Sequence, residues 1–143
     1  MAEVTSQGSM SIEFRPPDVL IVEYSGLVDG QIVRSARLNS REHLHGLPHF
    51  LMVFDVRRLD SLTADARRAI VEKAPHGIPP ARAIAVIGAN FRTRAVVSML
   101  SRAWQFFHSE DSRPVQFFDS MDDIHRWFDV RRSELAQSMP RSD

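Results

Sequence analysis

Phe50 to Val56 reads FLMVFDV. A short, continuous apolar run that meets an aspartate suits a central strand buried on both faces, as parallel sheets require. Ala81 to Gly88, ARAIAVIG, has the same character. Upstream, Ser11 to Arg15 alternates polar and apolar residues before Pro16-Pro17, and Asp18 to Ser25 (DVLIVEYS) is rich in β-branched and aromatic side chains. These two pieces predict strands joined by a proline turn, the second broken at Gly26. Asp29 can cap a helix running to about His45, closed by Gly46 and Pro48. Downstream, Thr63 caps a helix through about Ala74, and the prolines of Pro75 to Pro80 enforce a loop. Phe91 to His108 has helical spacing, Pro114 to Phe118 is a short strand, and Met121 to about Ala136 is a last helix. Ser120 and Asp123 form a weak capping box before it. The order β-β-α-β-α-β-α-β-α predicts an α/β sandwich: a mixed sheet of about five strands, four helices, and an antiparallel hairpin at one side.

The chain has 143 residues, 43% hydrophobic and 25% charged, with 18 basic and 18 acidic residues and no cysteine. A chain of this length buries roughly two-thirds of its unfolded surface, enough for one core. A single domain is expected over residues 11–136, with 1–10 a disordered lead-in and 137–143 a frayed tail. Disulfides and thiolate chemistry are excluded, which fits a cytoplasmic setting. No run is long enough to span a membrane, and the first ten residues have no basic start followed by an apolar stretch. Zero net charge argues against a nucleic-acid binder. The charges are unevenly placed: Lys73, Arg82, Arg92, Arg94 and Arg102 stand in a stretch without an acid, whereas Asp119, Asp122, Asp123, Asp129 and Glu134 gather near the end.

The hairpin, the Asp-terminated strand, the AIAVIG strand, the segment FRTRAVVSMLSRAW and the closing PVQFFDSMDDIHRWF together resemble a bacterial SpoIIAA-like domain of the STAS superfamily. The resemblance covers about residues 11 to 130. It implies a small non-enzymatic domain: relatives include antagonists of anti-sigma factors, switched by phosphorylation of a serine at the start of the second helix, and others are thought to bind lipids or small ligands. The equivalent stretch here, DVRRLDSLTADARR from Asp55 to Arg68, places Ala64 at the acceptor position and lacks the motif's glycine. The resemblance therefore implies a module without that phosphoswitch.

Four constellations could carry function. The Asp55 to Thr63 segment, read as a loop after a central strand, holds Arg57 and Arg58 beside Ser61 and Thr63, weak candidate phosphoacceptors near a helix N-terminus. Arg34, Arg37 and Arg41 recur on one helix face and could meet an anion or simply be solvated. On Phe91 to His108 an apolar arc centred on Val96, Leu100, Ala103 and Phe107, flanked by Met99, Phe106, Val97 and Trp104, is wider than a surface helix needs. With Arg94 and Arg102 beside it, this helix is the candidate partner or ligand surface (Arg94, Met99, Arg102, Trp104, Phe106), although deep burial explains it equally well. His43, His45 and His49 lack the spacing of a metal site.

No GxSxG, Walker or GxGxxG motif is present. Neither an enzyme nor a metal or other cofactor is expected. The first expectation is a cytoplasmic, non-enzymatic regulatory module that binds a protein partner. The second is a binder of a lipid or other small apolar ligand lined by Met99, Trp104 and Phe106. A wide apolar helix left exposed would also favour a symmetric dimer.

Overall fold

The computed structural model describes residues 8–107 and 114–138. Nine elements follow in the expected order: β1 (Ser9–Arg15), β2 (Val19–Val28), α1 (Gly30–Leu44), β3 (Phe50–Leu62), α2 (Ala64–Val71), β4 (Ala81–Ile87), α3 (Phe91–Phe107), β5 (Val115–Phe118) and α4 (Met121–Ser138). The strands form one sheet in chain order, β1-β2-β3-β4-β5. β1 is antiparallel to β2 and the remaining neighbours are parallel. β1, which turns back through Pro16-Pro17, and the four-residue β5 are its edges.

This order decides where the helices go. Crossovers between parallel strands share one hand, so strands laid down in a single direction put every crossover on the same face. Accordingly α1, α2 and α3 cover the face bearing Leu20, Val22, Tyr24, Met52, Phe54, Ile84 and Val86. α4 is not a crossover, and it covers the other face, where Ile124 and Phe128 pack on Val19, Leu51, Val53, Ala83, Ala85 and Ile87. Arg132 fastens α4 further by two bonds to Asp18 in the hairpin turn (2.7 and 3.1 Å).

Several boundaries differ from the sequence expectation. Gly26 does not end β2: with φ 70 it sits inside the strand, which runs on to Val28. The Asp55 to Thr63 segment is not a loop, because β3 continues to Leu62 beside the end of β2. The pairing passes from Glu23↔Asp55 to Ser25↔Arg58 and from Gly26↔Leu59 to Leu27↔Ser61, so β3 carries one extra residue at each step. Such bulges break the strict alternation by which a strand is recognised, and the polar residues were left facing solvent while Leu59 and Leu62 pack on the core. α2 ends three residues before Ala74, at Val71, where Glu72 turns to extended backbone. β1 begins at Ser9, inside the presumed lead-in, and α4 reaches Ser138, inside the presumed tail. Residues 1–7 and 139–143, and His108 at the end of the third helix, lie outside the described residues.

The caps follow the sequence. The Asp29 carboxylate accepts from Ile32 N, Thr63 Oγ1 from Ala66 N, and Ser120 Oγ from Asp123 N. Asn90 Oδ1 accepts from Thr93 N, a cap within VIGAN that the sequence reading missed.

Candidate functional site

Between the sheet and its three crossover helices lies a pocket of about 330 Å³, at the lower end of the size range of small-molecule sites. Its floor comes from alternate residues of two central strands, Leu20, Val22 and Tyr24 of β2 beside Met52 and Phe54 of β3. The Tyr24 and Phe54 rings stack at 5.9 Å. One face of α1 forms the roof through Val33, Ala36, Arg37, Ser40 and Leu44, whose spacings of one, three and four keep them on one side of a helix. Ile70 of α2, Ile78, Pro79 and Pro80 of the following loop, and Trp104 of α3 close the sides. A smaller pocket of about 70 Å³ adjoins it beneath α3, sharing Tyr24, Phe54 and Ile70 and lined also by Val97 and Leu100.

Few polar groups reach the pocket. Tyr24 is pushed up to about 12 by burial, which outweighs the nearby Arg37 charge, so its phenol stays neutral. The Ser40 hydroxyl donates to Ala36 O (2.6 Å) within α1. Arg37 donates to Ile70 O (2.5 Å) and Glu72 O (2.8 Å), carbonyls at the end of α2, and burial lowers its pKa from the usual guanidinium value. Lys73 lines the pocket next to these carbonyls in sequence.

The arginine stripe therefore has several fates. Arg34 is held between Glu72 (2.7 and 3.3 Å) and Asp65 (3.0 and 3.3 Å). These bonds, Glu72 first, raise its pKa and lower those of both carboxyls. Arg37 reaches the pocket, and Arg41 is exposed. Two of the three side chains thus fasten α1 to the short α2. Of the anion candidates on β3, Arg57 is engaged by Asp55 and Arg58 is exposed. Ser61 is an exposed residue of β3, and the Thr63 hydroxyl accepts the cap bond of α2.

On α3 the residues separate. Trp104 and Leu100 are buried and line the pockets, but Met99 points outward at 54% exposure and lines neither. An amphipathic helix presents only part of a wide apolar arc inward, and here Met99 falls on the outer part. Arg94 bonds Ala89 O and lies over the Phe117 ring at 5.3 Å, and Arg102 is exposed. The side chain of Phe106 lies outside the described residues. Of the three histidines, His43 stacks on Phe14 at 5.9 Å, and among the described residues no group of three His, Cys, Asp or Glu could hold a metal ion. Nothing in the sequence marked the floor or the loop prolines as a site, because each reads as ordinary core.

On the opposite face, Asp55 is a buried carboxylate at 6% exposure, bonded by Arg57 Nε (3.0 Å), Nη2 (2.6 Å) and N (3.2 Å). Gly88, at φ 80, makes way for this pair: a Cβ there would stand 2.0 Å from Arg57 Cγ. The Arg57 side-chain bonds hold the Asp55 carboxyl below its ordinary value of 3.8 despite burial. A depressed folded pKa stabilises above the unfolded value, and that stabilisation is lost as pH falls through the folded one. Asp55→Asn should therefore destabilise by about 1–3 kcal/mol near neutral pH, a gap that closes below the ordinary carboxyl value. Urea midpoints of both proteins from pH 7 to pH 3 check this, and a gap that stays constant would assign the loss to packing.

The sheet order, the shared face of α1 to α3 and α4 alone opposite define a SpoIIAA-like fold carrying an apolar pocket. No family model matches the chain, and no curated protein matches it. Among solved structures, an uncharacterized protein of the DUF3478 family with a SpoIIAA-like fold from Shewanella loihica PV-4 superposes with a TM-score of 0.60 at 18% identity, over 89% of this chain and 98% of that one. An anti-sigma factor antagonist from Mycobacterium paratuberculosis superposes with a TM-score of 0.49 at 15% identity, over 82% and 90%. No described helix is long and apolar enough to cross a membrane.

Proposed function

We propose that this chain is a non-enzymatic cytoplasmic module that binds a small apolar ligand between its sheet and α1 to α3. The observation that carries the reading is the pocket of about 330 Å³, walled by aliphatic and aromatic side chains with few polar groups, the usual character of a small-molecule site. The ligand-lining residue of α3 is Trp104 and not Met99. Native mass spectrometry of gently purified protein tests it: the expected result is a mass excess that disappears on denaturation, or uptake of one added dodecyl-chain molecule per chain. A bare mass that accepts no such molecule would refute it.

A second reading rests on the outer face of α3, where Phe91 is 89% and Met99 54% exposed. Large apolar side chains held in water favour association, and a second copy of the chain is the proposed occupant. Sedimentation should show a dimer that Met99→Glu dissociates; a monomer at high concentration rejects it.

A further inference from the structure

We infer that the pocket selects a ligand with a single apolar chain and a carboxylate head, and that Arg37 is the residue that sets this preference. The inference rests on the ligand-binding reading above and adds the chemical class. Arg37 lines a mostly apolar wall. Its two bonds within the chain go to carbonyl oxygens, Ile70 O and Glu72 O. The neighbouring carboxylate, Glu72, is taken up by Arg34 through both of its oxygens. Arg37 thus brings a positive charge to a partly desolvated wall; its hydrogen bonds there go to carbonyl dipoles, and the Glu72 carboxylate acts on it only through space. A guanidinium has five N–H donors, and these two bonds account for two.

The other charged group on the wall is Lys73, a second cation, and no described residue lining the pocket is acidic. A cation in apolar surroundings gains most from an ion that can pair with it directly, and the planar guanidinium fork matches a carboxylate. The two carbonyl bonds hold that fork in place before any ligand arrives, so little ordering cost remains for binding. Tyr24, neutral and stacked on Phe54, adds an amphipathic wall beside it. The cavity's modest volume suits one alkyl chain.

Isothermal titration calorimetry of the full chain with dodecanoate, dodecan-1-ol and dodecyltrimethylammonium, each below its micelle-forming concentration, tests the inference. The expected order is dodecanoate tighter than dodecanol by about tenfold or more, with the ammonium weakest. Arg37→Met should bring dodecanoate to the level of dodecanol measured on the same variant, whereas Arg37→Lys should retain part of the preference. Equal wild-type affinity for dodecanoate and dodecanol would overturn the carboxylate assignment and leave the apolar pocket standing. Binding of none of the three would overturn both. A preference that survives in Arg37→Met would overturn the role of Arg37. The wild-type series needs no variant, so the assignment stays testable even if Arg37→Met weakens the contact between α1 and α2.

Discussion

Phe128→Ala is expected to lower the melting temperature by roughly 10–20 °C, the equivalent of about 3–5 kcal/mol in a chain this size. Phe128 is the largest of the fully buried side chains and packs in the layer between α4 and the sheet. Beneath it β4 offers Ala83 and Ala85, small residues that let the ring come close to the backbone. Among the described residues α4 is the one helix on its face, so no second described helix can shift to compensate. Differential scanning calorimetry checks the outcome, and a fall of less than about 5 °C would mean that α4 contributes little to the stability of the sheet.

The opposite result is expected across the sheet. Ala36→Phe aims a phenyl ring at the pocket of about 330 Å³ that Ala36, itself buried, lines from the roof. In a well-packed interior such an enlargement costs about 1–3 kcal/mol. Here the melting temperature should hold or rise, since filling a void returns dispersion contacts. Dodecanoate binding should weaken by at least about tenfold as the added ring takes the ligand's place. A large fall in melting temperature would show that the space is not available to a rigid ring. Unchanged dodecanoate binding would place the ligand elsewhere.

The fold was largely legible because its signals are local. Continuous apolar runs at Phe50–Val56 and Ala81–Gly88 mark strands buried on both faces, and Asp29, Thr63 and Ser120 mark helix starts by the hydrogen bonds their side chains accept. What failed depended on pairing. The segment from Asp55 to Leu62 looks like a polar loop until the end of β2 is laid beside it, and Gly26 looks like a strand breaker until its bulge is seen. The pocket could not be read at all. Leu20, Ala36, Ile70 and Pro79 are far apart in the chain and each is unremarkable alone; a void is a property of how they fail to meet. The arginine stripe was visible as a pattern, but whether its members face water, Glu72 or the pocket is decided by where the short α2 docks.

The two ends of the sheet bear on how copies of the chain could meet. A bare strand edge offers its backbone to any passing chain, and proteins guard against this with short strands or charged side chains. β5 is four residues long. β1 sets Glu13 and Arg15, paired with each other, among its exposed positions. Both margins are poor templates for continuing the sheet, so fibrous growth by strand addition is disfavoured and contact between copies falls to the helical surface.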